Sequence, residues 1–318
     1  MDAISQHTTE QAPHDRTQGD TRDGKPAADA ERVVVLGVDN SPAGLLALDW
    51  AVAEAIARHE TLRLVRVWST PVEEPWYFAD ERAERLREHD SAHHVAERFA
   101  ERVAAQHPEL PVQLRITGGD PIDALRKLAA DASVLVVGTH RGQAVRAALE
   151  GSVSYPLAAR AGCPVIVVPP ATGAEPPFGM MAGVVAGVSA DGSAEDVLGF
   201  AFDFAERHHL PLWCVTCWRP DLLAVPPAGK VSIEQQQAEL SLSEALAGWR
   251  ERYPDVTVRT TVLCAHASDG LVDSAAGARL LVVGRRSWHS RLGVLLGSVS
   301  QRVVRHATCP VAIVPPTG

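Results

Sequence analysis

The sequence predicts an α/β protein with two tandem domains, each built on a doubly wound, parallel, five-stranded sheet. Strand and helix patterns alternate along the chain, which favours this class of fold. Several of the strands are apolar and rich in β-branched residues, as in the run from Val33 to Val38. Such runs are typical of parallel strands that helices cover on both faces. The alternation then restarts in the second half, and a length of 318 residues suits two domains.

In the first half, five predicted strands alternate with four predicted helices. A Ser-Pro turn at Ser41-Pro42 leads into the first helix, and Pro108 follows the end of the long second helix. The predicted order is strand Val33–Asp39, helix Leu45–Ala57, strand Leu62–Trp68, helix Arg82–Gln106, strand Val112–Ile116, helix Pro121–Ala130, strand Val134–Gly138, helix Gly151–Ala161 and strand Val165–Val168.

The second half repeats the first. Leu135–Gly138 returns as Leu281–Gly284 and Gly151–Ser154 returns as Gly297–Ser300, both at an offset of 146 residues. The N-terminal parts align at an offset of 150, and the slip falls around the long helix predicted at Ser232–Tyr253. We therefore predict a disordered tail, which lacks large apolar residues, then two domains joined by a linker. Their bounds are 1–30 for the tail, 31–170 for the first domain, 171–181 for the linker and 182–318 for the second domain.

Composition and charge exclude several classes of protein. A net charge of −9 argues against a nucleic-acid-binding protein, which would carry a basic face. No apolar run approaches the roughly 18–20 residues of a spanning helix, and the N-terminus lacks the basic start and apolar stretch of a secretory signal. We expect a cytoplasmic protein that binds neither nucleic acid nor membranes. Five cysteines are too few and too odd in number for a disulfide framework.

The segment after the fourth strand of each half is where we expect a ligand, because ligands of open α/β sheets lie beyond the carboxyl ends of the strands. Gly138 and Gly284 end these strands, and a glycine lets a ligand approach the backbone closely. Thirteen residues later, Gly151-Ser152 and Gly297-Ser298 open a helix whose free N–H groups and dipole suit a phosphate. The alternative is that Gly-Ser only caps the helix, since serine is a good N-cap.

These motifs resemble the universal stress protein family, in two tandem copies that cover about residues 31–170 and 182–316. The resemblance rests on Val33–Asp39 with Ser41-Pro42, Gly118–Pro121, Leu135–Gly138, Gly151–Ser154 and Cys163–Val168. It implies an adenine nucleotide alpha hydrolase-like sheet with strand order 3-2-1-4-5 and ATP as ligand, with the participation of Mg²⁺ left open. ATP-binding members carry Gly, two residues, Gly, nine residues and then Gly-Ser or Gly-Thr. They also have an Asp at the end of the first strand and an apolar residue at the end of the second, both near the nucleoside.

In the first half, the resemblance places Asp39 and Val67 at the nucleoside and the other site residues around the phosphates. The implied set is Asp39, Ser41, Val67, Gly138, Arg141, Gly142, Gly151, Ser152, Val153 and Ser154. The middle glycine of the family motif is Arg141 here, and Gly142 comes one residue late. An arginine there loses the tight turn that glycine permits but gains a guanidinium that can grip phosphate. The alternative for Asp39 is that it only forms the turn before Asn40-Ser41.

The second half departs further from the family pattern. The implied set is Gly284, Arg286, Gly297, Ser298, Val299 and Ser300. Its middle glycine is Ser287, and Ser189 stands where the first half has Asp39, although Asp191 lies two residues on. Cys217 takes the place of Val67. Arg286 falls where many ATP-binding members carry an arginine beside the phosphates. We therefore expect the first half to bind ATP in preference to the second.

Signals for metal binding or catalysis are weak. Cys214 and Cys217 form a Cys-x-x-Cys near Cys264, but residues three apart on a strand point to opposite faces, so they cannot easily share a metal. Three histidines of the long helix (His89, His93 and His94) are expected to be solvated. No Walker, Gly-x-Ser-x-Gly or His-Glu-x-x-His motif is present, so we predict no catalytic or metal-binding residues.

The sequence thus predicts a non-enzymatic stress-response or regulatory protein that binds an adenine nucleotide. The alternative is a nucleotide-free interaction module that kept the fold, and an enzyme such as an adenylyl transferase is a third class. The short, apolar fifth strands Val165–Val168 and Val311–Val314 are predicted at sheet edges, where exposure would invite aggregation. Family members pair this strand with its twin, so we expect the two halves of the chain to pair through it. Whether whole chains also form homodimers is left open.

Overall fold

The computed structural model describes residues 32–68, 79–139, 153–170, 183–189, 194–219, 233–285, 287–290 and 293–317; for 79–86, 287–290 and 293–295 it describes the backbone alone. Residues Glu31–Gly318 form one compact unit. The predicted N-terminal tail and the predicted linker lie outside the described residues.

Both halves follow the alternation of strand and helix that the sequence predicts. The first half contains β1 (Val33–Gly37), α1 (Pro42–Arg58), β2 (Thr61–Trp68), α2 (Ala79–Gln106), β3 (Val112–Gly118), α3 (Pro121–Leu128), β4 (Ala132–Gly138), α4 (Ser154–Arg160) and β5 (Val165–Val168). The second half contains β6 (Val184–Gly187), α5 (Ala194–Arg207), β7 (Leu212–Trp218), α6 (Ile233–Ala245), α7 (Trp249–Arg252), β8 (Val258–Cys264), α8 (Ala267–Ser274), β9 (Leu280–Gly284), β10 (Ser287–Ser290), β11 (Gly293–Leu296), α9 (Ser298–His306) and β12 (Val311–Val314).

The strands form one ten-stranded sheet in the order β3-β2-β1-β4-β5-β12-β9-β6-β7-β8. Within each half all neighbours are parallel, and the order is the predicted 3-2-1-4-5. The α/β class of the prediction is therefore confirmed. The two five-stranded sheets join because β5 and β12 lie antiparallel, with Ala312 opposite Ile166. Since the join is antiparallel, the carboxyl ends of the two sets of strands lie at opposite rims of the sheet.

The core has two layers, one on each face of the sheet. Along β1, Val34 and Leu36 face one apolar cluster while Val33 and Val35 face the other, as the period of a strand requires. The first cluster packs α1, α2, α5 and α6 on the sheet, and the second packs α3, α4, α8 and α9. Each cluster contains residues of both halves, so the core is continuous across the join.

Local sequence explains where the helices of the first half begin. Ser41 caps α1 by accepting a hydrogen bond from Gly44 N, and Pro42 occupies the first turn. Asp120 caps α3 in the same way, its carboxylate accepting from Asp123 N at 2.9 Å, with Pro121 following. These are the polar caps and early prolines that favour helix starts.

Three features differ from the sequence prediction. The helix predicted from Gly151 begins at Ser154. The helix predicted at Ser232–Tyr253 is split into α6 and α7, because Gly248 has a φ of 80°, which a continuous helix does not allow. The strands β10 and β11 form an antiparallel hairpin, which no sequence pattern predicts.

Candidate functional site

The candidate site of the first half lies at the rim where the strand order reverses between β1 and β4. Asp39 follows β1, Val67 lies near the end of β2, and Gly138 ends β4. All three are half-buried at the carboxyl ends of their strands. The fold therefore brings these predicted residues to one crevice, which is the usual ligand position in open α/β sheets.

The carboxylate of Asp39 belongs to a hydrogen-bonded turn. Its Oδ1 accepts hydrogen bonds from the backbone N–H of Ser41 at 3.1 Å and from Ser41 Oγ at 2.5 Å. Ser41 Oγ in turn accepts from Gly44 N at 2.9 Å. This is the turn-forming role that the sequence leaves open as an alternative for Asp39. A role of Asp39 or Ser41 toward a ligand remains a prediction.

Gly44 is a site residue that the sequence interpretation missed. A Cβ at this position would overlap Oδ1 of Asp39 and would lie 2.8 Å from the carbonyl oxygen of Asp39. Only glycine lets the Asp39 carboxylate pack against the first turn of α1. The second half, at an offset of 150 residues, has Ser189 and Ala194 in these places. Comparing the two halves as pairs of residues could have found this signal.

Gly138 has a packing role that the sequence did not predict. A Cβ there would lie 2.9 Å from the carbonyl carbon of Ala43 and 3.1 Å from Gly44 N. The glycine therefore lets the end of β4 approach the backbone of α1. Its counterpart Gly284 is less confined, since the Cβ would meet Val197 Cγ2 at 3.1 Å.

In the second half, the structure brings the strand end and the helix start together. Ser300 Oγ donates a hydrogen bond to the carbonyl oxygen of Gly284 at 2.9 Å, and Ser300 is buried. Gly297 is the N-cap of α9, and the first internal helix bond runs from Gln301 N to Gly297 O. The N–H groups of the three preceding residues (Ser298, Val299 and Ser300) therefore have no partner within the helix, as in any first turn. In the first half, the counterparts Val153 and Ser154 are half-buried and buried.

The loop between the glycines is described only in part. Arg141, Gly142, Gly151, Ser152 and Arg286 lie outside the described residues. Ser287, the replacement for the middle glycine of the second half, is the first residue of β10 and pairs with Leu296. In an antiparallel hairpin, half of the N–H groups of each strand bond to the partner strand. The hairpin packs through β11 on α4 of the first half.

Cys217 and Val67 occupy equivalent places, near the expected nucleoside. Both are half-buried and pack on the same core cluster. Burial raises the pKa of the Cys217 thiol, so it is not an activated nucleophile. Gly270 makes room for the sulfur, since a Cβ there would lie 2.8 Å from Sγ.

The placement of Cys214 and Cys217 follows the period of their strand. Cys214 belongs to one core cluster and Cys217 packs on the other, so they lie on opposite faces of the sheet as expected. Within the described residues, no group of three or more His, Cys, Asp or Glu side chains could hold a metal ion.

His89 and His94 of α2 are accessible to solvent as expected, with 43% of the His89 side chain exposed, and His89 also packs against other rings. The rings of His89 and His93 lie 4.5 Å apart, and the edge of Trp68 meets His89 at 5.5 Å. His94 is 82% exposed, as expected.

Among the described residues, the helices are too short or too polar to cross a bilayer.

The sequence and the fold are similar to those of known proteins. The model of the universal stress protein family matches residues 31–169 and 180–315. The universal stress protein Rv2005c of Mycobacterium tuberculosis is 34% identical over 291 residues, which cover 88% of this chain and 96% of that protein.

Solved structures extend the comparison to the fold. The crystal structure of a universal stress protein from Archaeoglobus fulgidus superposes with a TM-score of 0.65 at 15% identity, covering 90% of this chain and 97% of that one. A shorter universal stress protein, solved in complex with cAMP, is 28% identical with a TM-score of 0.34 and covers 44% of this chain and 98% of its own.

Proposed function

Because the chain belongs to the universal stress protein family, we propose that it binds an adenine nucleotide, ATP, at the carboxyl ends of its strands. Binding would serve a non-enzymatic, cytoplasmic role in stress response or regulation. The observation that carries the proposal is that Asp39, Val67 and Gly138 lie together at the carboxyl ends of their strands, at the switch point between β1 and β4. In the second half, the hydrogen bond from Ser300 to Gly284 at 2.9 Å joins the start of α9 to the glycine end of β9, so first-turn N–H groups lie beside a strand end that a ligand can approach.

Each half of the chain has its own candidate site, and the described residues of the two sites suit different parts of a nucleotide. In the first half, Asp39 and Val67 lie at the switch point and suit the ribose hydroxyls and the base. In the second half, the start of α9 suits a phosphate, because its N-cap Gly297 has no side chain to fill the space. In the second half, Ser189 stands where the first half has the carboxylate of Asp39. The hairpin of β10 and β11 also uses backbone N–H groups of the loop between Gly284 and Gly297 for its own hydrogen bonds. We therefore assign the tighter site to the first half.

The same proposal includes a stable association of the two halves in solution through the pairing of β5 with β12. All residues of both strands are buried. If the halves separated, two wholly apolar edge strands would become exposed, which favours aggregation.

The first test is to measure adenine nucleotide in the full-length protein purified without added ligand, followed by calorimetric titration with ATP. We expect about one nucleotide per chain. Gly151→Asp should abolish binding in the first half, since a carboxylate repels phosphate. Gly297→Asp is the matched variant, because residue 297 has φ −60° and ψ 155°, which any residue adopts, and an aspartate caps α9 well. It should leave most of the binding intact.

A second candidate function is a nucleotide-free interaction module. The observation that favours it is the hairpin of β10 and β11. This hairpin is formed by residues of the loop between Gly284 and Gly297, and it packs on α4. A protein that retains no nucleotide and gives no heat at millimolar ATP would overturn the binding proposal in favour of this one. Loss of binding in Gly297→Asp but not in Gly151→Asp would overturn the assignment to the first half.

A further inference from the structure

The strands at the join cannot by themselves tell one half of the chain from the other. In the antiparallel register, Val311, Ala312 and Ile313 lie opposite Val167, Ile166 and Val165. Both strands are short and wholly apolar, and backbone hydrogen bonds carry no information about sequence. Two first halves or two second halves from different copies of the chain could form much the same pairing.

Above the join, α1 and α5 meet around one buried carboxylate. Glu54 of α1 is 1% exposed. Its Oε1 accepts from Arg58 Nε at 2.5 Å and from Arg207 Nη1 at 3.1 Å, and its Oε2 lies 2.7 Å from His208 Nε2. Two of these three partners belong to the second half, Arg207 as the last residue of α5 and His208 directly after it. Arg207 also pairs with Asp203.

Near this carboxylate, aromatic side chains also make contacts between the two halves. Trp50 stacks on Phe204 with ring centroids 5.7 Å apart and an interplanar angle of 11°. The guanidinium of Arg58 lies over the ring of Phe200, 6.0 Å from its centroid. The contact surface is therefore formed by charge and aromatic groups of both helices.

The repeat shows that the two sides of this contact are not equivalent. At the offset of 150 residues, Glu54 corresponds to Phe204 and Ala57 corresponds to Arg207. A pair of second halves would bury Arg207 and His208 with a phenylalanine where the carboxylate now lies. A pair of first halves would bring Trp50 against the copy's Glu54 in place of a ring. In a pair of second halves Arg207 and His208 lose the carboxylate, and in a pair of first halves Glu54 keeps Arg58 of its own helix but loses Arg207 and His208. Removing partners from a buried ion pair is costly.

We propose that Glu54 makes the first half select the second half over a like half of another copy. The proposal rests on the pairing of the halves in solution proposed above. Glu54 acts here as a specificity determinant between two surfaces that the strands alone would not distinguish.

The test measures the exchange of halves between copies of the full-length chain. Two preparations with different affinity tags are mixed, one tag is captured at timed intervals, and the co-captured fraction of the other is measured. We expect slow mixing of the wild type and at least tenfold faster mixing of Glu54→Gln. The matched control is Glu60→Gln, which removes a carboxylate that bonds Ser133 within the first half at 2.7 Å. It should mix at the wild-type rate.

A second variant covers the case in which Glu54→Gln does not fold, as judged by circular dichroism. Arg207→Gln removes one cation from the opposite surface and should also speed the mixing. In the double variant Glu54→Gln/Arg207→Gln, the acceleration should be smaller than the product of the two single effects. Slow wild-type mixing with no acceleration in Glu54→Gln or Arg207→Gln would overturn selection by Glu54. Complete mixing of the wild type in the first sample would overturn the pairing proposal itself.

Discussion

The sulfur of Cys217 packs over Gly270, so closely that a methyl group at residue 270 would lie 2.8 Å from Sγ. The first half has Val67 and Ala124 in the equivalent places. Each half therefore fills the space beneath its expected nucleoside position with a different pair of residues.

Gly270→Ala should lower the free energy of unfolding by about 1 kcal/mol, because overpacking in the core outweighs the better helix propensity of alanine. In a Cys217→Ala background the loss should be smaller, since the sulfur is gone and Ala265 Cβ at 3.3 Å is then the nearest neighbour of the added methyl group. Urea unfolding of the four proteins in this cycle measures both values. Equal effects of Gly270→Ala in the two backgrounds would show that the sulfur does not limit residue 270.

Gly44→Ala should both destabilise the protein and weaken ATP binding. The added methyl group displaces the Asp39 carboxylate, at a cost of about 1–3 kcal/mol. The double variant Asp39→Ser/Gly44→Ala copies the pair of the second half, Ser189 and Ala194. It should recover part of the stability, because the carboxylate no longer clashes with the methyl group while the 2.8 Å approach to the carbonyl oxygen of residue 39 remains, and it should not recover affinity for ATP. Recovery of both in a calorimetric titration would show that Asp39 serves the turn alone.

The five thiols should differ widely in reactivity toward a disulfide reagent at pH 8. Burial raises the pKa of Cys163 to about 11 and that of Cys214 to about 12, whereas Cys264 is exposed. Because the thiolate is the reactive form, Cys264 should react first, and the three buried thiols (Cys163, Cys214 and Cys309) should react only on unfolding. Mass spectrometry of partly labelled protein identifies the order. Early labelling of Cys214 would contradict the burial of β7.

Acid should remove the stabilisation that comes from Glu54. Burial alone would raise the pKa of this carboxyl, but the hydrogen bond from His208 and the charges of Arg58, His208 and Arg207 outweigh it and lower the pKa below the ordinary 4.5. A lowered pKa in the folded state gives stability that is present above the unfolded value and is lost as the pH falls through the folded one. The difference in unfolding free energy between wild type and Glu54→Gln should therefore shrink as the pH falls below about 4.5. A difference that does not change with pH would contradict the ionised state of Glu54.

The two halves should unfold together in one transition. Each core cluster contains residues of both halves, with Leu36 and Phe202 in one and Leu135 and Leu281 in the other. Unfolding of one half would expose buried apolar side chains of the other half to water. Circular dichroism and tryptophan fluorescence should give coincident urea curves, which is the test of two-state behaviour. Two separated transitions would show that each half is stable alone.

The strands were the most predictable part of the fold, because a buried parallel strand leaves a plain apolar run. The bounds Val165–Val168 are the same in prediction and structure. The hairpin at Ser287–Ser290 could not be found in this way, since its polar residues follow no strand period. The break at Gly248 depends on a positive φ that a single glycine permits but does not require.

The sequence named candidate site residues but not the contacts that position them, and their role toward a ligand stays a prediction. The sequence identified Asp39, yet the turn that holds it depends on the lack of a side chain at Gly44, five residues on. It identified Gly138 as a place where a ligand could approach, whereas the residue also has to admit the backbone of Ala43. Both corrections come from packing between elements, which motif spacing does not encode.

The antiparallel join of β5 and β12 determines where the two candidate sites lie on the surface of the molecule. The two candidate sites lie at opposite rims of the sheet, and about four strand spacings, roughly 19 Å, also separate them across it, because β5 and β12 lie between β4 and β9. A binder that covers one opening therefore leaves the other free.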